Sequence, residues 1–342
     1  MGQSRASQIS TKDTPYYHIT SHVVRNNLLC GINSINNIDY GSRKQWVIDR
    51  IKFLSSFFAI DVAGYSIEVD EYHMVIYINE AITKSWSIDE VYDHWSAIYN
   101  PKPILKRWKN KELIEASEIQ MALTMLEECR NKLSNISLFM QNLNQYIARR
   151  ANKEDGCKGH FWEGRFKSYA LLDETALVTC MSHLDLNHVI EKEPDLVEEP
   201  EFRSIYERTH GYLNKNENFI KKSEEIKPLI SFLGNDATTH ISKNKIIQTD
   251  EPVINIKLND YLELLDWTNK IQQDEEIICI ETEKPGLLIE LGFSVEDWIE
   301  LANDFGNEFK CAVGTIAELE DYSINTGKNR ITKKRRLGDL FH

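Results

Sequence analysis

The chain has no closely spaced pair of cysteines. Its six cysteines, Cys30, Cys129, Cys157, Cys180, Cys279 and Cys311, are scattered through 342 residues. That spacing argues against a disulfide framework and a CxxC-type zinc site, and fits reduced thiols in a cytoplasmic protein. No apolar run approaches the roughly 20 residues of a membrane span, so no membrane partner is expected. Met1 to Thr14 is polar and lacks the apolar segment that directs secretion; residues 1–15 are expected to form a disordered arm. No internal repeat is visible. What is present is ordinary for a soluble globular protein, with 42% hydrophobic and 27% charged residues. The length allows a sizeable core and suggests two domains.

An excess of positive charge is also lacking. The net charge is −13, which argues against a polyanion as partner until the chain is divided. Residues 1–184 carry 21 basic and 21 acidic side chains, and residues 185–342 carry 19 and 32. The whole acidic excess therefore lies in the second half. Local field decides where a polyanion docks. The neutral half holds basic clusters at Arg43-Lys44, Lys102 to Lys111 and Arg149 to Lys167.

Periodicity predicts a first strand over His18–Cys30, a helix over Arg43–Ala59, and strands over Asp61–Ile67 and Tyr72–Ile78. Ser87–Tyr99 reads as a helix opened by a capping box of Ser87 and Glu90. Lys111–Arg150 reads as one or two long helices, a helical insertion over 100–150. Asp155–Ser168 is a Gly-rich, basic, aromatic loop. Asp173–Val189 is a helix with Asp173 as N-cap. The order predicts an α+β fold, an antiparallel sheet with helices on one face, over 16–190. Residues 191–255 read as a linker region, with a helical piece at Ile226–Leu233. Residues 256–324 read as a smaller, mainly α domain with helices at Asn259–Lys270, Ser294–Phe305 and Thr315–Asp321. Residues 325–342 form a basic tail.

Three constellations carry chemistry. Glu71 and His73 are two apart on a strand and share a face. Glu with His is a hard donor pair that suits Mg2+ or Mn2+, although the same pair also suits a charged, exposed strand face. His183 and Asn187 are i,i+4 neighbours on a helix. There His183 reads as a base, a ligand, a nucleophile, or simply a packed or solvated side chain. Gly156 to Ser168 combines glycines that let backbone approach a phosphate with the charges of Lys158, Arg165 and Lys167. Phe161, Trp162 and Phe166 add stacking faces. The competing reading is a compact loop with its aromatics in the core.

Together these segments resemble single-tyrosine HUH transposases, in the branch of REP-associated tyrosine transposases. The likeness runs through Phe58-Ala59-Ile60-Asp61-Val62, Glu71-Tyr72-His73 and Ile147-Ala148-Arg149-Arg150-Ala151-Asn152-Lys153-Glu154-Asp155. It continues through Phe161 to Ser168, Leu171-Leu172-Asp173-Glu174, Leu184-Asp185-Leu186-Asn187 and Asp260 to Thr268. The resemblance implies an HUH, ferredoxin-like domain that recognises hairpin or single-stranded DNA. In that family a divalent ion held by a His pair polarises the scissile phosphate, a helix-borne Tyr attacks it, and an Asn or Gln completes the metal site.

Carried over by position, His73 matches the second His, Glu71 replaces the first, and Asn187 is the third ligand. His183 stands where the Tyr belongs, and His188 replaces a Pro. Arg149, Arg150, Lys158, Trp162, Arg165 and Lys167 are the implied DNA contacts. The resemblance thus implies a transposase-derived DNA-binding protein that has lost tyrosine-mediated transposition, with Mg2+ or Mn2+ as cofactor. Two other expectations stay open. One is a metal-dependent single-strand nuclease using Glu71, His73 and Asn187, with His183 or water attacking. The other is a protein-interaction component of a defence or mobile-element complex, with a protein partner or a second copy of the chain.

Overall fold

The computed structural model describes residues 9–24, 28–33, 37–186, 202–211, 226–234, 236–237, 241–242, 245–273, 284–308 and 311–327. In chain order the elements are β1 (Tyr16–His22), β2 (Ile32–Asn33), β3 (Ile38–Asp39), α1 (Ser42–Phe57), β4 (Ile60–Ile67), β5 (Glu71–Ile78), α2 (Glu80–Ser85), α3 (Ile88–Ile98) and α4 (Pro103–Lys109). Then come α5 (Ala116–Leu133), α6 (Ile136–Glu154), β6 (Lys167–Leu171), α7 (Glu174–Leu186), α8 (Ser204–His210), β7 (Ser231–Leu233) and β8 (Val253–Lys257). The last are α9 (Leu258–Gln273), α10 (Gly286–Leu291), α11 (Val295–Glu308), β9 (Ala312–Val313) and α12 (Ile316–Asn325).

The fold is α+β around a five-stranded sheet of order β4-β5-β1-β6-β9. All its pairings are antiparallel except the last, in which β9 runs parallel to β6. β1 holds the centre, and β5 lies beside it. Two local signals act as expected. Ser87 and Glu90 form a full capping box at the start of α3, and Asp173 Oδ1 accepts the Ala176 amide at 2.8 Å to start α7.

Helices cover both faces of the sheet, where one face was expected. Tyr17, Ile19, Tyr72, Met74 and Ile76 pack with Val47, Ile51 and Leu54 of α1 and Phe139, Leu143 and Ile147 of α6. The opposite face, with Tyr16, Val75, Tyr77 and Leu171, packs with Leu177, Met181 and Leu184 of α7. The physical reason is in the strands: every residue of β4 and all but Glu71 of β5 are buried. A sheet open on one side would alternate buried with exposed.

The second core does not stop at residue 190. Tyr261, Leu264, Trp298, Leu301 and Phe305 belong to the same cluster as α7. Consequently α7 is buried all round, from Thr175 to Leu186. A helix wrapped on all sides must pair whatever polar groups it buries: the Thr179 hydroxyl donates to Thr175 O at 2.7 Å, and Asp185 accepts the Tyr261 and Ser204 hydroxyls at 2.7 and 3.1 Å. The described residues of 258–308 thus pack onto this face, β9 joins the sheet edge, and Leu319 and Tyr322 of α12 enter the core on the opposite face.

Residues 202–211, within the region read as a linker, form α8 and dock on the sheet. Glu207 takes the buried Lys52 ammonium and accepts the Tyr65 hydroxyl at 2.9 Å. Arg208 donates to the carbonyls of Ala63 at 2.6 Å and Ile230 at 2.9 Å. Ile226–Leu233 contains no helix: Ser231–Leu233 is a strand paired with β8, and the Ile230 amide donates to Val62 O at 2.8 Å. Extended backbone finds partners there that a helix would have replaced. Residues 9–15 are also held, with Asp13, Thr14 and Pro15 buried and the Ser10 amide donating to the Tyr17 hydroxyl at 2.7 Å. The remainder of the expected arm, residues 1–8, lies outside the described residues, as do the linker stretch 191–201 and most of the basic tail.

Candidate metal and DNA-contact site

The β4–β5 hairpin builds the site. Its tip is fixed by the Glu68 amide donating to Glu71 O at 2.8 Å and by amides of Val23, Leu29 and Cys30 donating to the turn carbonyls of Val69 and Asp70. From that turn, Glu71 and His73 leave one face of β5 together. On β1, His22 is the cross-strand partner of Glu71, and Thr20 is the partner of His73. Directly paired residues point to the same side of a sheet. His22 therefore stands beside Glu71, and Glu68 closes the group from the turn.

The distances are short. His73 Nε2 lies 3.2 Å from Glu71 Oε2 and 3.7 Å from Glu68 Oε1. His22 Nε2 lies 2.7 Å from the same Glu71 oxygen. Donor atoms of Glu68, Glu71 and His73 all fall within 4.8 Å of one another, a cluster that could hold a metal ion. Behind it, His18 Nε2 sits 3.1 Å from His73 Nδ1. The Tyr169 ring stacks on His18 with centroids 5.6 Å apart.

The charges sort by environment. Burial would push the His73 imidazole down, but the charge of Glu68 and the hydrogen bond and charge of Glu71 outweigh it and raise it to about 9. Burial would push Glu71 up, yet hydrogen bonds from His22 and His73 hold it well below the usual carboxylate range. Burial, helped by the positive charge on His73, lowers His18 well below its ordinary value and His183 to about 4. Near neutral pH the cluster thus contains a His73 imidazolium against two acidic side chains, flanked by two neutral histidines.

His183 comes to this face as its position in α7 predicts. Its ring centroid is 6.2 Å from that of His73. It does not reach solvent: only 3% of it is exposed, its Nδ1 lies 2.8 Å from the carbonyl of Ala302 on α11, and its ring packs against Phe305. An imidazole held there is poorly placed to attack a phosphate. Asn187, the expected third ligand, lies outside the described residues. Tyr146 is remote from the group; it sits on α6 in the layer covering the opposite sheet face.

The loop after α6 divides by residue type. Phe161 and Phe166 are core residues. Trp162 is half-buried; its indole donates to Asn144 O at 2.8 Å and its ring meets the edge of Tyr72. The aromatics therefore serve packing, against the expectation of free stacking faces. Arg165 and Lys167 are exposed, as are Arg149, Arg150 and Lys158. Arg150 lies over the Trp46 ring at 3.9 Å and donates to the Tyr146 hydroxyl at 3.0 Å, on the α1–α6 side of the molecule. Arg149 shares that helix end, and Lys158 follows it in the loop. Lys167 differs from all of these. It pairs with Thr20, which pairs with His73, so three adjacent strands present Lys167, Thr20 and His73 in one row on one face. The loop is tied to this row by a bridge between Val23 and Trp162 and by the Glu163 amide donating to His22 O at 2.9 Å.

Sequence reading does not reach Glu68, His22 or His18. The available signal was the acidic turn before β5 and the i,i+4 pair of histidines on β1, which becomes a signal only once β1 and β5 are known to be neighbours.

No protein-family model matches this chain, and neither a curated protein nor a solved structure matches it. Among the described residues, no helix is long and apolar enough to cross a membrane.

Proposed function

We propose that this protein binds hairpin or single-stranded DNA at the end of the sheet where β1, β6 and the β4–β5 hairpin meet, and that it descends from an HUH-type nicking enzyme without retaining tyrosine chemistry. The row of Lys167, Thr20 and His73 carries this reading. It sets an exposed ammonium on the same face as an acid–imidazole cluster suited to a divalent ion, with Arg165 two residues from Lys167. A phosphate backbone can be met there by fixed charge and, through the ion, by coordination. Mg2+ or Mn2+ is the cation class proposed. The role of His183 follows from its burial: it is a packed side chain beneath α11. Fluorescence anisotropy with labelled hairpin and single-stranded oligonucleotides tests the reading. Binding that weakens with salt, and weakens further in Lys167→Ala, supports it; salt-independent or absent binding refutes it.

A second reading is favoured by the cluster of Glu68, Glu71 and His73 itself. With a cation in place, these residues supply the ingredients of water-mediated phosphodiester hydrolysis, in which the ion lowers the pKa of a bound water. Cleavage of single-stranded DNA that needs Mn2+ and disappears in Glu71→Ala would select this reading over simple binding.

A further inference from the structure

We infer that Arg50 and Arg150, both held by Tyr146 in the layer formed by α1 and α6, are a phosphate-binding pair that takes the backbone of a single nucleic-acid strand. This layer covers the sheet face opposite α7, so the pair is separate from the row of Lys167, Thr20 and His73. The inference rests on the reading that the protein binds DNA, and it adds a second contact to that surface.

Arg50 carries it. Arg43, Arg130, Arg203 and Arg208 also pack into the fold, and each donates to a carbonyl: Leu28 O at 3.1 Å, Trp86 O at 2.7 Å, Asp185 O at 3.1 Å and Ile230 O at 2.9 Å respectively. Among the described residues, Arg50 has no oxygen partner. Its guanidinium lies over the rings of Phe53 and Tyr146, 4.8 and 4.9 Å from their centroids, and its Nε is buried without a hydrogen bond. Burial lowers its pKa, and the charges that oppose the shift come from the phenols of Tyr146 and Tyr99, not from a carboxylate. The planar guanidinium matches phosphate oxygens two at a time. Held against two rings, Arg50 has little freedom left to lose on making that contact.

The helices explain the placement. Trp46, Arg50, Phe53 and Phe57 follow one another at i, i+4, i+7 and i+11, a single stripe along α1. Tyr146 and Arg150 are i,i+4 neighbours on α6. Tyr146 joins the two helices: Arg50 lies over its ring, while Arg150 donates to its hydroxyl at 3.0 Å and covers the Trp46 ring at 3.9 Å. The nearby acids are engaged elsewhere. Asp49 accepts the Gln45 side-chain amide at 2.7 Å, Glu154 accepts Arg43 Nε at 2.6 Å, and Asp155 accepts Arg43 Nη2. Two guanidinium groups thus share one patch without a counter-charge from these acids.

Two features favour a nucleic-acid strand over a phosphorylated peptide. Tyr146 and Tyr99 are partly exposed beside Arg50, which puts aromatic surface next to the charge, where a base can lie. The exposed cations Lys153, Lys158 and Arg165 then follow from the end of α6 to Lys167. A strand that meets Lys167 therefore has a cationic path to Arg150 and Arg50.

The experiment is fluorescence anisotropy of the full-length protein with end-labelled oligo(dT) over a range of salt concentrations. Arg50→Gln and Arg150→Gln should each weaken binding about three- to tenfold at low salt and lower the slope of log affinity against log salt by about 0.7. Circular dichroism should match the wild type. Arg150 is exposed, so its variant tests the pair even where Arg50→Gln disturbs folding. Iododeoxyuridine in the strand should crosslink to Tyr146 on irradiation. Unchanged affinity and slope in both variants, with loss in Lys167→Ala, would overturn this inference and leave the Lys167 row standing. Loss in both variants with unaltered binding in Lys167→Ala would support the inference and sink the row. A phosphoserine peptide that displaces the strand as effectively as unlabelled oligo(dT) would give the patch to a peptide and overturn the assignment to nucleic acid.

Discussion

Replacing His183 by Tyr would restore the side chain that the HUH resemblance expects at this place in α7, and the structure predicts that the restored residue will not work. His183 is enclosed by α11, with its Nδ1 at Ala302 O and its ring on Phe305 and near His73. A phenol is longer than an imidazole. Forcing it into a filled site costs about 1–3 kcal/mol of overpacking. Leaving the Ala302 carbonyl without its buried donor adds about 1–3 kcal/mol. The expected destabilisation is therefore about 2–6 kcal/mol. Denaturant unfolding monitored by tryptophan fluorescence measures it. A parallel incubation with labelled hairpin DNA and Mn2+, followed by denaturing electrophoresis, should reveal no covalent adduct for the wild type or for His183→Tyr. Wild-type stability in the variant would mean that α11 does not confine this residue. A denaturation-resistant adduct at the new Tyr would mean that the enclosure opens to DNA, and an adduct at Tyr169 in the wild type would mean that a hydroxyl from β6 has taken over the attack.

Arg165→Ala and Lys167→Ala should each weaken hairpin binding and lower the slope of log affinity against log salt by about one unit or less, read by anisotropy from low to moderate salt; unchanged slopes in both would remove them from the interface. Glu207→Ala takes the carboxylate from the buried Lys52 ammonium and should cost about 3–5 kcal/mol in chemical denaturation, whereas a loss below about 1 kcal/mol would show that Lys52 finds compensation in water. Asp173 is raised by burial, against hydrogen bonds from the Ala176 and Thr315 amides, from 3.8 to about 6. The native state thus holds this proton more tightly than the unfolded chain, so the contribution is complete below about pH 3.8 and is lost as pH rises through about 6. The loss amounts to about 3 kcal/mol. Asp173→Asn should flatten the stability–pH curve over that interval, and an unaltered curve would reject the assignment.

The parts of this protein that local chemistry specifies were readable in the sequence. The capping box at Ser87, the N-cap at Asp173, the helical period of residues 43–59 and the shared face of Glu71 and His73 each depend on neighbours within a few positions. What was not readable depends on register. His22 meets Glu71 because β1 and β5 pair in one alignment, and a shift by one residue would turn it to the other face. Lys167 reaches the same face through two strand pairings. The cover on both faces had a partial signal in the nearly continuous apolar run from Tyr72 to Ile78, which suits a strand buried on both sides better than one with a wet face. The burial of His183 had none, because α11 lies more than a hundred residues later in the chain.

The parallel pairing of β9 with β6 gives the chain a history as well as a shape. During synthesis, β6 and α7 leave the ribosome long before Ala312–Val313 and α11 exist. Until then the edge of β6 offers unpaired backbone groups, and the outer side of α7 is apolar and wet, a combination that invites association with other chains. The segment from α11 to β9 is in this sense a cover made late for a surface made early: it pairs the edge of β6 and encloses His183.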